Sequence, residues 1–277
     1  MDLSWFQSLL YGLISGFTEF LPICPEGHRF LFLSLLGKSD HAAIRLSVHL
    51  GALFALVFLC APMIAKLNRE RKIASISERR RKRQPDMRSI MDLRFLKIAV
   101  IPVILCTFAS RFVSGATDKL WVLAALLFLN GCVLYIPQFY PHANKDGLTL
   151  TRSDAVIIGL GTGFGIFPGI SRIAVAASVG SLRGADRRYI LDIILLLCIP
   201  ALLILVVMEF FAVFAAAATL SFISFLCCIT AALMSFIGAY LGICMIRFIA
   251  VRVGYSGFAY YSWGLALLTF ILYLTIS

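Results

Sequence analysis

Two short segments of this chain hold the residue types that could do chemistry. The first runs Glu19-Phe20-Leu21-Pro22-Ile23-Cys24-Pro25-Glu26-Gly27-His28-Arg29, and the second ends Pro168-Gly169-Ile170-Ser171-Arg172. Glu19 and His28 are groups that take up and release protons, and Ser171 carries a hydroxyl. Arg172 offers a fixed fork of donors suited to phosphate, and a helix starting beside it, at Gly169–Ser171, would add backbone N–H groups for an anion. Cys24 and Glu26 are further polar groups in the first segment. A carboxylate, a histidine, a hydroxyl and an arginine brought together beside lipid suit phosphate-ester chemistry on a lipid head group. The bland alternative for Glu19 is an ion pair with Arg172, and a lone histidine such as His28 is as often a packing residue.

The elements that carry these residues are unusual. Leu3–Pro22 and Ala155–Arg172 are each an apolar run, then a Pro/Gly break with charged residues, then a short apolar return. Pro and Gly interrupt a helix, and the freed backbone groups need partners inside the protein. Broken helices of this kind line polar cavities rather than face lipid.

The rest of the chain shows what surrounds them. Of its 277 residues 61% are hydrophobic and only 14% charged, where soluble domains have about 45–50% and about 25%. Apolar blocks long enough to span hydrocarbon place full spans at 42–64, 95–114, 119–139, 189–214, 219–247 and 257–276. The composition therefore excludes a soluble domain. Seven of the eight cysteines lie within apolar runs without a C-x-x-C pair, so they read as small hydrophobes rather than a disulfide or zinc set. The start Met1-Asp2-Leu3 lacks the basic region of a cleavable signal peptide.

Close to half of the 25 basic residues fall between Lys66 and Lys97, including Arg79-Arg80-Arg81-Lys82-Arg83. In a membrane protein this marks a cytoplasmic loop, expected over 65–94, rather than nucleic-acid binding. Counting spans puts the polar connector Pro137–Arg152 and Arg183, Arg187, Arg188, Arg247 and Arg252 on that same side. Arg111 and Lys119 dissent by falling outside. Tight hairpins are expected near Gly115–Asp118 and Thr219–Leu220. Tyr255, Tyr260, Tyr261 and Trp263 read as an interfacial aromatic belt. His49 and Glu209 lie inside spans, and His49 either lines a cavity or packs.

Pro22 and Pro168 align the two broken segments, and the same offset carries span 119–139 onto the last span. The chain thus reads as a duplication, about 1–140 and about 150–277, each copy a broken hairpin plus three spans. Three is odd, so the second copy enters from the opposite face. The expected fold is an all-α integral membrane protein of about six transmembrane helices and two re-entrant hairpins in an inverted repeat, with both breaks near the midplane.

Gly16-Phe17-Thr18-Glu19-Phe20-Leu21-Pro22-Ile23-Cys24-Pro25-Glu26-Gly27-His28 resembles the first signature of the undecaprenyl-pyrophosphate phosphatase (bacitracin-resistance) family, E-G-x-T-E-F-L-P-V-S-S-T-G-H. Pro168-Gly169-Ile170-Ser171-Arg172 resembles the second, P-G-x-S-R-S-G-x-T. The resemblance covers essentially the whole chain. It implies a hydrolase of the bacterial inner membrane that converts a polyprenyl pyrophosphate to the monophosphate carrier of peptidoglycan synthesis. It also implies a divalent cation, Mg²⁺ or Ca²⁺, with Glu19 as a metal-binding and catalytic carboxylate. By position His28 and Ser171 are the other catalytic residues, and Arg172 with Gly169 binds phosphate. Its partners would be the lipid and the bilayer, with no nucleic acid, and a homodimer is left open.

This sequence departs from the pattern at several points. Ser15 stands for the first glutamate, Cys24 and Pro25 for the two serines, Glu26 for the threonine, and Ile173 and Ala176 for later residues of the second signature. Proline has no hydroxyl, so Ser171 or Cys24 would have to replace the nucleophile and Glu26 the missing carboxylate. The competing reading is a relative that binds or flips a polyprenyl phosphate without hydrolysing it.

Overall fold

A computed structural model describes residues 3–113, 119–140, 144–216, 221–252 and 254–276. Among them it forms ten α-helices: α1 Trp5–Glu19, α2 Pro25–Leu35, α3 Ala42–Ser75, α4 Met87–Val113, α5 Leu120–Tyr135, α6 Arg152–Gly163, α7 Arg172–Leu182, α8 Arg187–Ala215, α9 Phe222–Arg252 and α10 Gly257–Ile276. Six helical stretches, built on α3, α4, α5, α8, α9 and α10, are long and apolar enough to cross a membrane. The chain is a multi-pass, all-α membrane protein. Large apolar side chains such as Phe54, Phe58, Ile101 and Leu105 face outward from the bundle, as a lipid solvent permits.

The six spans fall where hydropathy predicts them, but two are longer at the basic end. α3 runs on to Ser75 and α4 begins at Met87, so the loop expected over 65–94 shrinks to 76–86. Residues 65–75 contain no Gly or Pro, and Lys, Arg, Glu, Leu and Ala propagate a helix well once it is nucleated. The loop itself is ordered by ion pairs: Glu70 with Arg83, and Lys66 with Asp86 at 3.1 Å. The connectors at Gly115–Asp118 and Thr219–Leu220, and the Arg111 side chain, lie outside the described residues.

Both broken segments are pairs of short helices, α1–α2 and α6–α7. Each starts with a capped turn: Ser4 and Gln7 form a reciprocal capping box on α1, as Thr151 and Asp154 do on α6. Asp154 also meets Arg183 beyond the end of α7, closing that hairpin at its base.

Helix packing follows an exchange between the two halves. α1 packs mainly on α9 and α6 mainly on α4, while α3 meets α8 beside its larger contact with α9, and α5 pairs with α10. Matching α1–α5 to α6–α10 in order turns the first two contacts into each other and leaves those of α3 with α8 and α5 with α10 unchanged. Gly12 and Gly16 let α1 lie backbone to backbone against Ala231 and Ser235 of α9. A Cβ at either position would collide with main-chain atoms that cannot move aside. α3 and α8 run antiparallel, since Arg45 near the start of one pairs with Glu209 near the end of the other. α8 is the most deeply enclosed span, and its residues from Ile190 to Leu202 form much of the main core.

Candidate active site

The two breaks meet in the protein interior. α1 ends at Glu19, and the irregular residues Leu21–Cys24 expose carbonyls that an ordinary helix would satisfy. They find partners across the bundle: the Ser171 hydroxyl donates to the Leu21 carbonyl at 3.1 Å, and the Asn130 amide donates to the Pro22 carbonyl at 3.2 Å. Asn130 also accepts from the Ser171 backbone N–H at 2.9 Å and donates to the Ser262 hydroxyl at 3.0 Å. One fully buried amide on α5 therefore ties both breaks to α10. At membrane depth each such group would otherwise be left unsatisfied at considerable cost.

The residues after each break are helix caps. Cys24 caps α2, its Sγ accepting from the Gly27 N–H at 3.3 Å and from the Gly169 N–H at 2.9 Å. Pro25 then occupies the first helical turn, where its missing N–H costs nothing. Ser171 caps α7 by accepting from the Ala174 N–H at 3.3 Å. Gly169 sits at φ 108°, a conformation glycine adopts without strain. Its N–H is thus engaged by Cys24 rather than turned to an anion.

The charged cluster lies beside these caps. Glu19, Arg29 and Arg172 are all buried. Glu19 lies 3.7 Å from Arg29 and 3.9 Å from Arg172, and Arg29 lies 3.6 Å from Glu26. Tight carboxylate–guanidinium contacts are about 2.7–2.9 Å, so both guanidinium groups keep donors to spare. The Arg29 Nη1 lies 3.2 Å from the His49 Nε2.

A cavity of about 930 Å³ opens onto this cluster. Glu26, Arg29, His49, Leu123, Pro168 and Leu205 are among its walls, and Arg172 borders a small neighbouring pocket of about 10 Å³ that shares Glu26 and Leu205. The cavity reaches exposed Ser39 and Asp40 at its outer end. There Arg45 holds Glu209 in a two-pronged contact at 2.8 and 3.1 Å and Asp40 at 3.1 Å. This outer end is at the start of α3, whereas the basic 76–86 loop follows its end, some 34 residues away. At about 1.5 Å per residue the two ends of α3 are separated by more than a bilayer core.

The predicted residues are thus divided. Glu26 lines the cavity and Arg172 the small pocket beside it, while Glu19 meets both Arg29 and Arg172. Cys24 and Ser171 are buried caps, and Gly169 completes the cap of α2. His28 turns elsewhere: its Nδ1 meets the Cys24 carbonyl at 2.6 Å and its Nε2 meets the Tyr261 hydroxyl at 2.7 Å. Its ring stacks on Tyr261, a contact between α2 and α10. Sequence reasoning passed over Arg29 as a site residue and left His49 open. The signal was the phase of α2, because neighbouring residues on a helix point about 100° apart and only one of His28 and Arg29 can face Glu19.

Residues 8–268 match the family model described as Bacitracin resistance protein BacA. The chain belongs to this family of membrane proteins. Among its relatives is the protein named undecaprenyl-diphosphatase from Methanobrevibacter smithii, 27% identical over 272 residues, covering 95% of this chain and 96% of that one. Proteins of the same name from Methanothrix thermoacetophila and a Synechococcus are 30% and 29% identical, over 71% and 79% of this chain and 72% and 78% of theirs.

Proposed function

We propose that this chain hydrolyses undecaprenyl diphosphate, or a close polyprenyl relative, to the lipid monophosphate and inorganic phosphate. The observation that carries the proposal is the Glu19–Arg29–Arg172 cluster at the head of a membrane-embedded cavity in a member of this family. The diphosphate enters from the outer end, with its prenyl tail trailing toward lipid. Arg172 and Arg29 take the phosphoryl oxygens with the donors that Glu19 leaves unspent. Two fixed guanidinium groups stabilise the charge that spreads over these oxygens in the transition state.

Water is the nucleophile that fits this arrangement, because Pro25 has no hydroxyl and Cys24 and Ser171 are committed as caps. Its oxygen attacks the terminal phosphorus and the bond to the bridging oxygen breaks. That electron pair stays on the lipid monophosphate. The proton of the attacking water passes to Glu26, whose side chain is 35% exposed on the cavity wall, and from there to solvent. Glu19 positions both guanidinium groups, and His28 fixes the start of α2 against α10.

A divalent cation fits beside Glu19 as an ion carried mainly by the substrate. Among the described residues no group of three or more His, Cys, Asp or Glu converges as a ligand set, yet Mg²⁺ is commonly held by one or two carboxylates plus phosphate oxygens. Glu19 would supply one such carboxylate, and the ion would neutralise phosphoryl charge. The repeats, about 1–140 and about 150–277, are proposed to lie inverted in the inner membrane. The basic 76–86 loop is then cytoplasmic and the cavity opens on the opposite face.

The test is phosphate release from undecaprenyl or farnesyl diphosphate by purified protein in detergent with Mg²⁺. Release should be lost in Arg172→Ala and Glu19→Ala. Folded wild-type protein that binds the lipid but releases no phosphate would overturn the proposal.

A further inference from the structure

Resting on the phosphatase reading, we infer that His49 is a substrate-binding residue that donates a hydrogen bond from Nδ1 to the diphosphate of the lipid. His49 lies on α3, is only 3% exposed, and lines the cavity beside Arg29. A guanidinium group has donors only, so at the 3.2 Å contact with Arg29 Nη1 the His49 Nε2 is the acceptor. A neutral imidazole that accepts at one nitrogen carries its hydrogen on the other. A doubly protonated ring would set a second cation against Arg29. The hydrogen is therefore on Nδ1, and Nδ1 has no hydrogen-bond partner in the protein.

A buried N–H without an acceptor is rare in native proteins and asks for an explanation. The ring that carries it lines the cavity beside Arg29, with Arg172 bordering the small pocket next to it, so the ligand it suits is an anion with more than one oxygen to share. Arg29 would grip one such oxygen while His49 takes a neighbouring one. Because Arg29 occupies Nε2, the ring is held as a donor rather than as a proton acceptor. That separates its role from that of Glu26.

The functional group this geometry needs is one acceptor facing Arg29 and one donor facing the phosphate. Glutamine offers both on one planar amide, whereas leucine keeps the volume and offers neither. Binding of farnesyl methylenediphosphonate, which cannot be hydrolysed at its bridging carbon, separates affinity from turnover. His49→Leu should bind it about 10- to 100-fold more weakly, the loss expected for one hydrogen bond to a charged group, and His49→Gln should recover to within about threefold. In an Arg29→Ala background, His49→Leu should weaken binding again, which a residue serving only to position Arg29 would not do.

Leucine binding as tightly as wild type, glutamine as weak as leucine at equal thermal stability, or no further loss in the Arg29→Ala background would each overturn the inference. Phosphate release by wild-type protein is measured in parallel. Its absence refutes the hydrolase reading alone, because analogue affinity still reports on His49.

Discussion

Replacing Glu19 by glutamine should tighten binding of the diphosphate while slowing its hydrolysis. The glutamate sits 3.7 Å from Arg29 and 3.9 Å from Arg172, so a phosphate bound to those guanidinium groups comes close to a like charge. Adding a charge-assisted bond of about 2.8 Å to either gap leaves the two anions roughly 6 Å apart. At an effective dielectric near 20 the repulsion is about 3 kcal/mol, on the order of 100-fold in affinity. Glutamine removes that repulsion and keeps the shape. It also leaves the two arginines less fixed, so turnover should fall even as affinity rises. The assay is binding of farnesyl methylenediphosphonate in EDTA and again with millimolar Mg²⁺, beside phosphate release from the hydrolysable lipid. The gain should be largest in EDTA and shrink with Mg²⁺, because a cation seated on the carboxylate screens the same repulsion in the wild type. Weaker binding of Glu19→Gln in EDTA would refute the reasoning, for Glu19 would then be contributing more by holding the arginines than it costs by repulsion.

Two further substitutions test the scaffold. Cys24→Ser keeps an acceptor for the Gly27 and Gly169 N–H groups and should retain most phosphate release, whereas Cys24→Ala should lower thermal stability by about 1 kcal/mol as a lost cap does. Inactive but stably folded Cys24→Ser would make the thiol more than a cap. Asn130→Ala strips partners from the Pro22 carbonyl, the Ser171 N–H and the Ser262 hydroxyl. At about 1–3 kcal/mol for each buried group left unsatisfied, the melting temperature in detergent should drop by many degrees, and an unchanged melting curve would contradict the role given to this amide.

Much of the fold was legible because the bilayer imposes it. A run such as Ile190–Leu202 has little choice but to cross hydrocarbon, and Pro22 and Pro168 mark places where a helix must stop. The ends of α3 and α4 were not legible from hydropathy, since Lys66, Arg69 and Lys72 leave the membrane without leaving the helix. In the site, Glu19 and Arg172 stood out as charges at membrane depth. His28 stood out just as much by its position in a motif, yet the phase of α2 turns it to Tyr261 and turns Arg29 to Glu19. Phase depends on where a helix begins, and α2 begins where Cys24 receives an N–H from Gly169, far away in sequence. Asn130 gave no signal at all, because nothing local shows that a single amide inside an apolar span has loose carbonyls to satisfy.

The pairing of α1 with α9 has a consequence for how the chain is made. α1 leaves the ribosome more than 200 residues before α9, so at about 5–20 residues per second it waits on the order of 10–40 s for its main partner. During that time Glu19 has neither Arg172 nor the closed bundle around it. Arg29, ten residues downstream, is already there. The pair would let Glu19 enter the translocon with a cation already at hand, an escort built into the segment itself. On this view Arg29 serves the protein before there is a cavity to line, and Arg29→Gln should lower the yield of inserted protein even where the finished fold tolerates the change.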